Sequence, residues 1–219
     1  MRRAEPRPSL QSDLMIRPYP DRFYPVVDSV AWVSRLARCG VGMVQIRAKD
    51  LGDDDALALV KDAMAAVAGT GTRLVVNDYW RAAIEAGAAH LHLGQEDLAE
   101  ADVGAIRRAG LTLGVSTHDE AELDTALGVS PDYIALGPIY PTTLKAMRFG
   151  PQGLDRIGEW KRRAGSVPLV AIGGITLERG PGVFAAGADS IAVVSDVTQN
   201  SDPEARVRAW LDLAASPKD

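Results

Sequence analysis

The chain holds 219 residues, 47 % of them hydrophobic, with a formal charge of −5 and a single cysteine. That length suits one large core, and the acidic balance argues against nucleic acid as the main partner while leaving room for a local basic pocket. Cys39 alone permits neither an intrachain disulfide nor a cysteine-rich metal site, which suits a reducing cytoplasm. No stretch approaches the roughly 20 apolar residues of a membrane span, and the basic N-terminus lacks the apolar core of a signal peptide.

Residues 1–21 read as a flexible arm, because Pro6, Pro8, Pro18 and Pro20 disfavour regular structure; Met15 is an alternative start. A first strand spans 23–28, with Pro25 tolerable only near its start. A helix over 29–37 follows, carrying Val30, Val33 and Leu36 at helical spacing, with Cys39 read as packing beside it. A second strand covers 42–49, and Asp53 is placed as the cap of an Ala-rich helix over 54–68. The stretch 73–98 reads as strand, short helix, strand. Leu74, Val75 and Val76 stop at Asn77-Asp78, the helix over 81–86 closes at Gly87, and the strand over 89–93 breaks at Gly94. A helix over 99–108, a strand over 111–116, a helix over 118–127 and a strand over 133–137 continue the alternation. The long loop 138–153 precedes a helix over 154–164. A strand over 168–172 leads through Gly173-Gly174 and Thr176 into another helix, and a strand over 190–194 with a helix over 202–214 completes the pattern before the tail 216–219. Eight strand–helix units without a composition break predict an α/β chain with a single domain over 22–215, a (β/α)8 TIM barrel. A doubly wound sheet would carry fewer strands and a glycine fingerprint near the first, which is absent.

Polar residues gather at the strand ends. Asp78 and Asp97 follow neighbouring strands; converging there, the two carboxylates suit a hard divalent cation such as Mg²⁺. The plainer alternative is that Asp78 caps the next helix and Asp97 sits in a turn. On the second strand Gln45, Arg47 and Lys49 share one face by period two. Burying Arg47 and Lys49 there is costly without an anion, so they read as a cradle for phosphate or diphosphate, the alternative being an ion pair with Asp28 or Asp78. Gly173-Gly174 and Val194-Ser195 lie after the seventh and eighth strands, the habitual phosphate site of this barrel. The chain is therefore expected to bind two phosphate-bearing groups, one metal-assisted and one held by backbone. Thr142, Thr143 and Lys145 sit in the sixth loop at the same mouth, where Lys145 would close on a diphosphate.

His90 and His92 alternate like a metal pair but lack a third ligand of matching type, so zinc is not expected. His118 caps a helix or touches a ligand. Ser116 has no sign of a nucleophile triad and is assigned hydrogen bonding to substrate. Trp32, Trp80, Trp160 and Trp210 are assigned to packing.

Seven ordered motifs over 23–210 resemble the thiamine phosphate synthase family: Gln45-x-Arg47-x-Lys49, Asn77-Asp78, His92 through Asp97, Gly114 through His118, Gly137 through Lys145, Ala171 through Ile175, and Val193 through Ser195. The resemblance implies a barrel joining 4-amino-2-methyl-5-hydroxymethylpyrimidine diphosphate to 4-methyl-5-(2-phosphoethyl)thiazole, giving thiamine phosphate and diphosphate. It implies that Gln45, Arg47, Lys49, Asn77, Ser116 and Lys145 contact the pyrimidine diphosphate. Arg47, Lys49, Ser116 and Lys145 would be the catalytic set, Asp78 and Asp97 would hold Mg²⁺, and Thr142, Thr143, Leu144, Gly174, Val194 and Ser195 would bind the thiazole phosphate. The implied mechanism is a dissociative substitution in which diphosphate leaves before the thiazole nitrogen attacks. One departure stands out: many members carry Pro-Thr-x-Thr-Lys in the sixth loop, and Leu144 here cannot donate the second hydroxyl. Its alternatives are a thiazole tautomerase, which would not need the diphosphate apparatus, and a non-catalytic precursor-binding protein. The expected partners are small phosphorylated substrates, without nucleic acid or membrane, and with a homo-oligomer left open.

Overall fold

The computed structural model describes residues 19–142 and 149–216. The strands are β1 (Phe23–Val27), β2 (Met43–Ile46), β3 (Arg73–Asn77), β4 (His90–Leu93), β5 (Thr112–Thr117), β6 (Tyr133–Leu136), β7 (Leu169–Ile172) and β8 (Ser190–Val193). They pair in parallel in chain order and close through β1 against β8, with Phe23 opposite Ile191. The intervening helices are α1 (Val30–Arg38), α2 (Asp53–Val67), α3 (Trp80–Ala86), α4 (Gln95–Glu100), α5 (Val103–Arg108), α6 (Glu120–Gly128), α7 (Gly153–Ala164), α8 (Gly180–Ala185), α9 (Ser195–Thr198) and α10 (Pro203–Ala215), with a 3₁₀ turn at Leu177–Arg179. This is the TIM barrel read from the sequence.

Two cores follow from the alternation of side chains along each strand. Outward-facing Val44, Ile46, Leu74, Val76, Leu91, Leu113 and Ile191 meet the helices in one apolar layer, which Trp160 of α7 and Trp210 of α10 enter fully buried. Trp160 Nε1 donates to Thr117 Oγ1 at 2.9 Å, and Phe23 stacks on Trp210 with ring centroids 5.5 Å apart, so both indoles tie a helix to a strand. The barrel interior holds a smaller cluster: Tyr24, Val26, Met43, Val75, Tyr133, Ala135, Val170 and Ala192. Tyr133 of β6 lies opposite Gly114 of β5, and any Cβ at Gly114 would overlap its ring, so glycine is what admits the tyrosine.

Three boundaries differ from expectation. The helix expected over 99–108 is two: α4 starts at Gln95, and Asp102 restarts the chain as the N-cap of α5 by accepting from Ala105 N–H. Asp53 does not cap α2; Gly52 holds that position and Asp53 opens the helix, where its charge faces the positive end of the helix dipole. Tyr19 and Asp21, assigned to the arm, pack on the lower barrel rim. Tyr19 stacks on His90 at 5.1 Å, and Asp21 pairs with Arg73 at 3.0 Å. No helix among the described residues is long and apolar enough to cross a membrane.

Candidate active site

The carboxyl ends of the strands open into a cavity of about 370 Å³ whose lining includes Gln45, Arg47, Asn77, Ser116, Thr142 and Val194. A second hollow, of about 450 Å³, is lined by Thr142, Gly174 and Ser195. Thr142 belongs to both, so the two meet at the sixth loop. Gly173 and Gly174 have φ of 100° and 63°, and Cβ atoms there would press on Pro138 and Tyr140, so the glycines let that loop lie against the β7 turn. Thr143, Leu144 and Lys145 lie outside the described residues.

β2 delivers Gln45, only 4 % exposed, with Nε2 donating to Tyr24 Oη at 2.7 Å. Arg47 follows the strand, its backbone N–H held by the Val27 carbonyl at 2.8 Å, and it forms no ion pair among the described residues. Asn77 ends β3 at 3 % exposure, and its Nδ2 is buried without a hydrogen-bond partner. An unpaired buried donor costs about 1–3 kcal/mol. In the wall of a cavity it is the mark of a group that a ligand satisfies.

Asp78 has φ 64°, a strained conformation for a residue with a side chain. It does not cap α3: Tyr79 is the N-cap, with no side-chain cap bond. Its Oδ2 instead accepts from Lys49 Nζ at 2.6 Å, so the ion pair weighed for Lys49 forms. Asp97, in the first turn of α4 and not in a turn between elements, shares a hydrogen bond with Asp78. Burial pushes the Asp78 carboxyl up, but the Lys49 hydrogen bond and charge, with the Asp97 hydrogen bond, bring it below its usual value. Asp97 moves the other way, raised by burial, by the Asp78 charge and by that hydrogen bond. Two carboxylates this close oppose each other's ionisation. A hard dication relieves that opposition, and both donors are oxygen, as Mg²⁺ requires. Among the described residues no three His, Cys, Asp or Glu side chains cluster to hold a metal. The protein therefore offers two carboxylates, the number Mg²⁺ commonly takes when substrate phosphates and water complete its shell.

The sequence reading missed what lies under the cavity. Tyr24 and Tyr133 carry hydroxyls into the barrel core, and His92, weighed only as a metal ligand, sits between Tyr133 Oη at 2.9 Å and Ser116 Oγ at 2.8 Å. Burial holds the His92 pKa down at about 4, so the ring is neutral. Gly114 in mid-strand was the available signal, since glycine there marks the close approach of another group. Trp32 packs against the core as assigned and also lines the cavity. His118 does not cap α6; Asp119 does, accepting from Glu122 N–H. The His118 ring meets Glu122 Oε2 at 2.7 Å and stacks on Phe149 at 4.9 Å.

Comparison with known proteins places the chain among its relatives. The thiamine monophosphate synthase family model matches residues 22–197. A thiamine-phosphate synthase of Rhizobium etli is 56 % identical over 195 residues, 89 % of this chain and 96 % of that protein. One of Neisseria meningitidis serogroup B is 50 % identical over 191 residues, 87 % and 93 % of the two chains. Among solved structures, a thiamine phosphate pyrophosphorylase of Pyrococcus furiosus superposes with TM-score 0.77 at 24 % identity, covering 88 % of this chain and 95 % of that one. A 3-hexulose-6-phosphate synthase superposes with TM-score 0.65 at 16 % identity over 89 % of this chain and all of that one, which shows the barrel alone. With most of its length matched by the family model and half or more of the aligned residues identical to such relatives, the chain belongs to the thiamine monophosphate synthase family of enzymes.

Proposed function

We infer that the chain condenses 4-amino-2-methyl-5-hydroxymethylpyrimidine diphosphate with 4-methyl-5-(2-phosphoethyl)thiazole, releasing thiamine phosphate and diphosphate. The observation that carries this reading is the pair of hollows meeting at Thr142, with Arg47 in the wall of one and the Gly174 turn in the wall of the other. In this reading Gln45, Asn77 and Ser116 hold the pyrimidine, while Arg47 and Lys49 face its diphosphate. Gly174, Val194 and Ser195, with Thr142, take the thiazole phosphate, and the backbone and Thr143 supply what Leu144 cannot.

Bond breaking at the pyrimidine methylene leaves negative charge on the departing diphosphate. Arg47 as a bidentate donor and Lys49 as a point charge stabilise that charge as it develops, so they favour the transition state over the ground state. Asp78 and Asp97 would hold Mg²⁺, which when bound would supply charge neutralisation to the leaving group. Lys49, half exposed and paired with Asp78 at 2.6 Å, carries its charge on a flexible stem that would turn to the diphosphate. The thiazole nitrogen attacks with its own lone pair, so no residue needs to act as base. Lys145 is assigned to closing the site from the sixth loop. The reaction is placed in the cytoplasm, with small phosphorylated molecules as its partners.

The test is diphosphate release on mixing the purified protein with both substrates, with Mg²⁺ and with a chelator. Metal-dependent release with thiamine phosphate formed in equal amount is expected. Thiazole tautomer interconversion without release would replace this reading with an isomerase.

A further inference from the structure

At the floor of the cavity one polar file crosses the barrel. Gln45 Nε2 donates to Tyr24 Oη at 2.7 Å, and Tyr24 Oη lies 2.9 Å from Tyr133 Oη. Tyr133 Oη lies 2.9 Å from His92 Nδ1, and His92 Nε2 lies 2.8 Å from Ser116 Oγ. The three middle residues are buried, with Tyr24 at 1 %, Tyr133 at 0 % and His92 at 6 % exposure, so water has little part in the file. Its two ends, Gln45 on β2 and Ser116 on β5, line the cavity, where Tyr24 and His92 also reach the wall, and Tyr133 alone is wholly enclosed.

Each middle group has one proton to give: a tyrosine hydroxyl carries one O–H, and an imidazole kept neutral by burial carries one N–H and one lone pair. The direction of a single bond therefore sets every other. The Gln45 amide nitrogen can only donate, so Tyr24 accepts from it and must pass its own proton toward Tyr133. Tyr133 then donates to His92 Nδ1. That leaves the ring proton on Nε2, which donates to Ser116 Oγ. At the cavity the consequence is an asymmetric pair. Ser116 keeps its own O–H to give to a ligand, and the Gln45 Oε1, without a partner among the described residues, remains an acceptor. The opposite direction would invert both ends, spending the Ser116 proton on His92 and presenting the Gln45 amide nitrogen to the ligand.

We propose that Tyr24, Tyr133 and His92 are positioning residues forming a one-way hydrogen-bond relay, which holds His92 as its Nε2–H tautomer and so sets Ser116 as a donor and Gln45 as an acceptor at the cavity. The identity of the ligand rests on the function inferred above: an aminopyrimidine supplies an amino N–H for the Gln45 acceptor and a ring-nitrogen lone pair for the Ser116 donor. A relay of this kind matches the ligand at two walls at once, because reversing one end requires reversing all five groups.

The tautomer is read by ¹⁵N NMR of the full-length protein with labelled histidine, without ligand, near pH 7. We expect His92 Nε2 in the protonated, pyrrole-type range and Nδ1 in the pyridine-type range. Tyr133→Phe removes the donor to Nδ1, so the two tautomers should mix, and turnover should fall about tenfold, the value of one lost hydrogen bond, with the KM for thiazole phosphate unchanged. His92→Gln places an amide nitrogen where Nε2 stands and should keep most turnover, whereas His92→Asn, too short to reach Ser116, should lose as much as Ser116→Ala. A wild-type ring protonated on Nδ1, or equal losses in the Gln and Asn variants with melting temperatures intact, would overturn the relay. The tautomer is observed without substrate. A wild-type protein that fails to release diphosphate would therefore remove the functional reading and still leave the relay tested.

Discussion

At the residue scale the site divides into groups already satisfied by the protein and groups that wait. Lys49 and Asp78 satisfy each other, whereas Arg47 forms no ion pair among the described residues and Asn77 Nδ2 has no partner. Arg47→Ala should therefore remove ligand affinity without disturbing a protein contact. Loss of a charge-assisted pair predicts a rise of roughly 10- to 100-fold in the KM for the pyrimidine diphosphate, with the KM for thiazole phosphate nearly unchanged. Equal losses for the two substrates would undo the division into two hollows. Asp97→Asn separates activity from stability. The substitution removes a carboxylate that Asp78 opposes, so the melting temperature without metal should not drop, while turnover should fall at least about tenfold and be only partly restored by excess Mg²⁺. A variant that melts earlier and turns over normally would show that Asp97 serves the fold.

At the scale of elements, the glycines between β7 and the following 3₁₀ turn show how backbone builds a site. Gly174 at φ 63° leaves no room for a side chain beside Tyr140 and Pro141. Gly174→Ala should cost about 1–3 kcal/mol in urea denaturation through crowding, and should raise the KM for thiazole phosphate while sparing that for the pyrimidine diphosphate. A change in the pyrimidine constant alone would place the thiazole phosphate elsewhere. The same scale shows where sequence reading succeeds and fails. Strands were legible because Val-rich runs ending in glycine or an acid have few other structures open to them. Helix starts were less so: Asp53 and Asp102 are both acidic residues before an Ala-containing stretch, yet only Asp102 caps, because capping depends on the φ and ψ of the residue itself.

For the whole molecule, closure of the barrel half-buries His90 and buries His92 on successive inward positions of β4, and desolvation lowers the pKa of each from 6.5 to about 4. The unfolded chain accepts protons near pH 6.5 while the folded protein resists until about pH 4, so between these values the unfolded state binds more protons. Stability should thus fall as the pH drops through that window, by on the order of 3 kcal/mol for His92. Urea midpoints at pH 7.5, 5.5 and 4.5 test this, and His92→Gln should flatten the dependence. A wild type and a variant with parallel pH profiles would mean that His92 titrates alike in the folded and unfolded states.

The sequence by itself determined the barrel, the strand order and the polar residues at the strand ends, because periodicity and strand-end chemistry are local and each survives without its neighbours. Gln45, Arg47, Asn77, Asp78 and Asp97 could be named from where strands end. Tertiary structure alone decided which of them meet. It set Lys49 on Asp78, brought Thr142 to the junction of two hollows, and threaded Tyr24, Tyr133 and His92 into one file from β1, β6 and β4. Those contacts join residues up to 109 apart in the chain, and their strength comes from the exclusion of water inside a closed barrel. No local pattern encodes that exclusion, since it exists only once every strand has found its neighbour.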